Sequence, residues 1–135
     1  MKVEDVMNRR IALIDPDATA LDAIECMVDN RIRSIVVKPD ENGNHGVLCI
    51  RDIVFRCLSE GSELRKIKVK EIATVPLVYV KRDMDLEHTL ELMRKFNIAR
   101  VFVKEDKKVV GVVALMDVLV ACMAENSPVN SLNSS

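Results

Sequence analysis

The chain has 135 residues, enough for one compact domain or for two small halves sharing a core. Hydrophobic residues make up 49% and aromatic residues only 3%, with no Trp, so the core must be aliphatic and Met-rich. Twenty Lys and Arg against 21 Asp and Glu leave a net charge of −1, and that balance argues against a nucleic-acid partner, which usually requires a basic excess on one face.

Four cysteines, Cys26, Cys49, Cys57 and Cys122, show no paired spacing and no Cys/His cluster of the kind that holds zinc. Three of them sit inside apolar runs and are expected to pack as small hydrophobes. The start, Met1-Lys-Val-Glu-Asp-Val, lacks the apolar region of a signal peptide. No apolar run approaches the ~20 residues that cross a bilayer. The expectation is a cytoplasmic protein without membrane contact.

Taken in order, the first apolar piece is Ile11–Ile14, read as a strand. A helix comes next, with Thr19 at its N-cap and Asp22 three residues on at capping-box spacing. Ala20, Ile24, Met27 and Val28 then fall on one face. Ser34–Val37 is a short β-branched run, read as a strand. Pro39-Asp-Glu-Asn-Gly-Asn has the composition of a hairpin turn. Gly46–Ile50 is the returning strand, and Asp52 opens a helix that Gly61 stops in a C′ role.

The same order then repeats. Displacing the chain by 66 residues puts Asp17 on Asp83, Glu25 on Glu91, Met27 on Met93 and Ile32 on Ile98. Past the turn the displacement becomes 65, and Gly46-Val47 and Asp52 fall on Gly111-Val112 and Asp117. In the second copy Leu77–Val80 is the first strand, with Pro76 at its start. Asp85 caps the helix carrying Leu86, Leu90 and Met93. Arg100–Val103 and Val109–Leu115 form the hairpin, and Asp117 opens the last helix. Two copies of so long a period mean a duplicated supersecondary unit and not a solenoid. The fold class is therefore α+β, with two β-α-β-β-α repeats packed sheet to sheet as a pseudo-twofold module. Residues 1–60 form the first repeat, 61–68 a linker, 69–125 the second repeat, and 126–135 a flexible tail. Apolar Phe55, Leu58, Leu119 and Met123 on the terminal helices either complete the core or form a homodimer surface.

No enzyme motif stands out. There is no P-loop, GxGxxG or HExxH, and His45 and His88 have no nucleophile at a recognisable spacing. The chemistry rests on Asp52 and Asp117. Asp is a favoured N-cap, and that alone would account for either one. It does not account for both repeats placing the acid after the same Gly-apolar strand. A carboxylate also pairs well with the vicinal hydroxyls of a ribose, and a helix N-terminus beside it favours phosphate.

"GVLCIRDIV" and "GVVALMDVL", each closing one repeat, make the chain resemble a tandem pair of cystathionine-β-synthase (CBS) domains over residues ~1–125. The resemblance implies a stand-alone regulatory module, not an enzyme, and often a homodimer. It implies no cofactor, but an adenosyl ligand (AMP, ADP, ATP or S-adenosylmethionine) in clefts between the repeats, and an effector protein that reads the bound state. In the family each cleft takes its ribose-binding Asp from one repeat and most other contacts from the other. By position, Asp52 with Cys49 and Arg51 would serve with Thr74, Pro76, Leu77, Val78, Ile98, Ala99 and Arg100. Asp117 would serve with Asn8, Ala12, Ile32, Arg33 and Ser34. The family commonly has Thr or Ser three residues before the acid, where this chain has Cys49 and Ala114. That departure supports the alternative of a protein-interaction or dimerisation module with unoccupied clefts.

Overall fold

The computed structural model describes residues 1–39, 46–76 and 78–126. The expected turn residues 40–44, His45, Leu77 and the tail from residue 127 lie outside the described residues. In chain order the elements are α1 (Val3–Val6), β1 (Leu13–Ile14), α2 (Ala20–Asn30), β2 (Ser34–Val37), β3 (Val47–Cys49), α3 (Ile50–Ile53), α4 (Val69–Ile72), β4 (Tyr79–Val80), α5 (Leu86–Phe96), β5 (Arg100–Glu105), β6 (Lys108–Ala114) and α6 (Leu115–Asn126). Helix α3 runs on into a π-helical turn, Val54–Leu58.

Each repeat contributes one three-stranded sheet, β1-β2-β3 and β4-β5-β6, as the duplicated pattern predicts. The first pair in each sheet is parallel, bridged by α2 or α5, and the second pair is antiparallel. The α+β class and the β-α-β-β-α order hold in both copies. Thr19 caps α2 as expected: its hydroxyl accepts the Asp22 N–H at 3.1 Å, and the Asp22 carboxylate accepts the Thr19 N–H at 3.0 Å. Asp85 does sit at the N-cap of α5, but its carboxylate turns to the Lys2 ammonium at 2.8 Å instead of capping. Helices α2 and α5 both end on a left-handed residue, Arg31 at φ 54° and Asn97 at φ 52°.

The two compact units of the chain do not simply coincide with the repeats. One comprises Ala12–Leu77, and the other comprises Val78–Ser135 together with Met1–Ile11. The segment that leads into each repeat thus completes the unit built on the other repeat's sheet. Short helix α4 is bound by Val69 N–H to Ala18 C=O at 2.8 Å and Lys70 N–H to Pro16 C=O at 3.0 Å. Its counterpart α1 is bound in the other unit by Val3 N–H to Met84 C=O and Glu4 N–H to Arg82 C=O, both at 2.9 Å. Four-residue helices have no stability of their own. They are held here by fully buried Val69 and Val3, each burial contributing roughly 1.5–3 kcal/mol. Val69 and Ile72 join the Ile35, Leu48 and Cys57 core, and Val3, Val6 and Met7 join the Val101, Val103 and Val113 core.

The two glycines of the repeated motif answer to these segments. Beyond α4, Thr74 pairs with Val47 along the outer edge of β3 through bonds of 2.7 and 2.9 Å. A Cβ on Gly46 would stand 2.8 Å from the Thr74 carbonyl oxygen. In the other unit Asn8 pairs in the same way with Val112, and a Cβ on Gly111 would meet the Met7 sulfur at 2.6 Å.

One expectation is corrected. Asp52 and Asp117 are not the first residues or N-caps of their helices. The helices begin two residues earlier, at Ile50 and Leu115. Both acids occupy the third position of the first turn, and their side chains reach back to the helix start, a role that carboxylates fill as well as the cap itself.

Candidate functional site

In each unit the acid is held the same way. Asp52 Oδ2 accepts the Cys49 N–H at 2.8 Å, and Asp117 Oδ2 accepts the Ala114 N–H at 2.8 Å. Among the described residues no hydrogen bond or ion pair engages the other oxygen, Oδ1, of either acid. Three further helix starts use this reach-back bond: Asp5 to the Lys2 N–H, Asp22 to Thr19 and Glu71 to Lys68. Those three acids are exposed, whereas Asp52 and Asp117 are half-buried.

The strand starts gather around each acid. In the first unit Ser34 lies opposite Cys49 in the register, the Ile50 N–H donates to the Arg33 carbonyl at 3.2 Å, and the Val36 N–H donates to the Ala12 carbonyl at 2.9 Å. Ala12, Ile32, Arg33, Ser34, Cys49 and Asp52 therefore share one end of the β1-β2-β3 sheet. Arg51 is exposed and lies over the Phe55 ring, 5.8 Å from its centroid. Thr74 belongs to the same unit but lies along the β3 edge, pinned to Val47, with half-buried Pro76 beyond it.

In the second unit Arg100 lies opposite Ala114, and the Leu115 N–H donates to the Ala99 carbonyl at 3.1 Å. Val78 and Ile98 are half-buried against the core behind that end of the sheet. Asp117, Ala114, Ala99 and Arg100 thus come together. Met116 is exposed, and Asn8 is on the β6 edge with its Oδ1 accepting the Arg10 N–H at 2.9 Å.

Arg33 and Arg51 lie at the same end of the first sheet as Asp52, and Arg100 at the same end of the second as Asp117. None of these arginines forms an ion pair among the described residues. The four cysteines are free thiols, and burial pushes the Cys57 thiol pKa up. Among the described residues no group of His, Cys, Asp and Glu is arranged to hold a metal ion, and no helix is long and apolar enough to cross a membrane. Sequence reading gave the Asp22 box but missed the reach-back bonds of Asp52 and Asp117. The spacing of each acid from Cys49 and Ala114 was the available signal.

Comparison with known proteins agrees with this architecture. The CBS domain family profile matches the chain twice, at residues 3–59 and 69–124. The chain is a tandem CBS domain protein. It is 29% identical over 130 residues to the CBS domain-containing protein YhcV of Bacillus subtilis, covering 96% of this chain and 91% of YhcV. It is 26% identical over 120 residues to an uncharacterized protein of Methanopyrus kandleri, covering 88% of this chain but only 61% of that longer protein. Among solved structures, the hexameric CBS-CP12 protein from bloom-forming cyanobacteria superposes with a TM-score of 0.82 at 25% identity, over 93% of this chain and 74% of that one. The CBS domain pair of protein MJ0100, solved in complex with 5′-methylthioadenosine and S-adenosyl-L-methionine, shares the fold with a TM-score of 0.75 at 24% identity, over 89% of this chain and 98% of that one.

Proposed function

We propose that the chain is a regulatory module that binds an adenine nucleotide (AMP, ADP or ATP) or a related adenosyl ligand such as S-adenosylmethionine, does no chemistry of its own, and passes the bound state to an effector protein. The observation that carries this reading is the pair of half-buried acids, each with one oxygen fixed on a helix start and the other uncommitted. Capping needs only one oxygen and no burial, as Asp5, Asp22 and Glu71 illustrate. A fixed, partly desolvated carboxylate is suited to accept the two hydroxyls of a ribose. The neighbouring arginines supply the charge for a phosphate. The MJ0100 pair gives the same fold with adenosyl ligands bound.

Thermal melts with AMP, ATP and S-adenosylmethionine test the reading, since a ligand that binds only the folded chain raises its melting temperature. A saturable rise with at least one of them is expected, and no rise with any at millimolar concentration refutes it. Asp52→Asn and Asp117→Asn are the informative variants. The amide oxygen can keep the bond to the Cys49 or Ala114 N–H, so loss of the ligand shift separates binding from capping.

A second reading is favoured by α6, whose Leu119 and Met123 are 58% and 69% exposed. A helix this apolar on its outer face suits a homodimer or partner surface. Under it the protein is an interaction module with empty sites, and a tight dimer that no adenosyl compound stabilises would support it.

A further inference from the structure

In the second repeat a cavity of about 440 Å³ opens between α5 and α6. Apolar Leu86, Leu90, Val118 and Cys122 line it, together with Met1, Asp85 and Glu87. Neither Leu119 nor Met123 on the outer face of α6 belongs to the lining, and neither Asp117 nor Arg100 does. In the first repeat the corresponding place is covered. Ala20, Ile24, Ile53 and Cys57 stand there where the second repeat has Leu86, Leu90, Val118 and Cys122. The linker folds back over them: Leu64 and Ile67 pack on the core that contains all four. The Leu64 carbonyl accepts the Leu21 N–H at 3.3 Å, and the Ile67 carbonyl accepts the Ala20 N–H at 2.9 Å.

The described residues of the second repeat reproduce half of this cover. The Met1 carbonyl accepts the Leu86 N–H at 2.9 Å, so Met1 takes the place of Ile67. The place of Leu64 is the cavity. Among the described residues the Glu87 N–H, the counterpart of the Leu21 N–H, has no acceptor. Cys122 is half-buried, whereas Cys57 is fully buried. The sequence supplies a match for the missing half. The displacement of 65 that puts Cys57 on Cys122 also puts Leu64 on Val129 and Ile67 on Leu132.

We propose that this cavity is the docking site of the chain's own segment 127–135, with Val129 in the position that Leu64 holds in the first repeat and the Val129 carbonyl on the Glu87 N–H. The reach suffices. Cys122 lies about 6 Å along the helix from Asn126, and the three residues from there to Val129 span about 10 Å when extended. Pro128 cannot continue α6, which leaves the chain to turn back. Residues 127–135 carry no charged side chain, so they meet Asp85 and Glu87 without repulsion. A segment tethered this closely acts at an effective concentration on the order of millimolar, which a second copy or a separate peptide would have to exceed.

Thiol labelling of the full chain, read cysteine by cysteine by mass spectrometry, is the test. Cys122 should label roughly 10-fold faster in Val129→Asp than in the parent. It should label about threefold more slowly in Val129→Leu, which copies the first repeat and adds one methylene. Cys26, a half-buried free thiol on α2, is the internal reference and should not change. The Glu87 amide should also exchange with solvent roughly 10-fold faster in Val129→Asp than in the parent. Cys122 labelling and Glu87 exchange that are the same in all three proteins overturn the proposal. So does an equal rise at Cys26 and Cys122, which would mean general loosening. Protection of Cys122 that grows with protein concentration overturns it too, because the cover would then come from a second copy.

Discussion

Replacing Gly46 by alanine tests how the chain is tied together. The new Cβ would sit 2.8 Å from the Thr74 carbonyl oxygen, 3.3 Å from its carbonyl carbon and 3.4 Å from the Ala73 Cβ. Ordinary contact requires a retreat of about half an ångström, and the obstacle is backbone with no rotamer to change. Moving it stretches the two bonds between Val47 and Thr74, now 2.7 and 2.9 Å. Overpacking of this kind costs about 1–3 kcal/mol, and two weakened bonds add about 1 kcal/mol. The lower entropy of alanine in the unfolded chain returns about 0.5–1 kcal/mol. The net loss is about 2 kcal/mol, or roughly 6–10 °C in melting temperature for a chain of this size. Gly111→Ala meets the Met7 sulfur at 2.6 Å, but that atom is near the end of a flexible side chain that can turn away. Its loss should be smaller, about 1 kcal/mol. Urea and thermal unfolding of the three proteins decide the matter. A Gly46→Ala protein as stable as the parent, or less affected than Gly111→Ala, refutes the seating of Thr74 on β3.

Ala114→Ser restores a hydroxyl at the start of α6, where it can accept an N–H of the first turn. It should stabilise the chain by about 1 kcal/mol, read as a higher urea midpoint, and an unchanged midpoint would mean that the helix start is not short of an acceptor. The β5–β6 hairpin closes through Asp106 and Lys107 at φ 50° and 70°, a two-residue turn of the type that asparagine and glycine prefer. Asp106→Asn with Lys107→Gly should therefore gain about 0.5–1 kcal/mol, and a loss in thermal melts would contradict that turn. Finally, the Lys70 ammonium at 2.9 Å holds the Asp17 carboxyl below its usual pKa of 3.8, and the Lys2 ammonium at 2.8 Å does the same for Asp85. A depressed carboxylate contributes stability above its unfolded pKa and loses it as pH falls through the folded value. Asp17→Asn and Asp85→Asn should thus lower the urea midpoint at neutral pH and converge on the parent as the pH falls through and below the usual carboxylate value of 3.8. An undiminished gap in acid would exclude these pairs as its cause.

Much of the fold was legible because its signals are local. The β-branched runs at Ser34–Val37 and Arg100–Val103 and the Thr19-Asp22 box sit where hydrophobic period and cap chemistry put them. The duplication made each weak signal count twice. The hidden features depend on distant partners. Nothing in Val3–Val6 or Val69–Ile72 announces a helix, because these segments are ordered by Met84, Arg82, Ala18 and Pro16 across the chain. The helix starts at Ile50 and Leu115 were misplaced because Asp suits the cap and the third position of the first turn alike, and only Cys49 and Ala114 mark the difference. The acids themselves were found from the repeat. Their half-burial and their spare oxygen are products of packing that no spacing reveals.

The motif that closes each repeat combines two separate demands. Gly46 is required by the segment outside the sheet, since the Thr74 backbone passes too close for a side chain. Asp52 is required by the helix leaving the sheet, which needs an acceptor at its start. Between them lies β3, three residues from Val47 to Cys49, or about 10 Å of extended chain. That strand is anchored on both edges, by β2 on one side and Thr74 on the other. The Asp52 carboxylate accepts the Cys49 N–H at one end of this strand, and Thr74 is seated on Val47 at the other. Thr74 leads within a few residues to β4 of the second repeat. Under the proposed function, a ligand on Asp52 would act on the strand that ends at the seat of Thr74. The spacing from glycine to acid is thus set by the length of the strand between the seat of Thr74 and the start of α3, and lengthening β3 by a residue would reverse the faces of the residues that follow it.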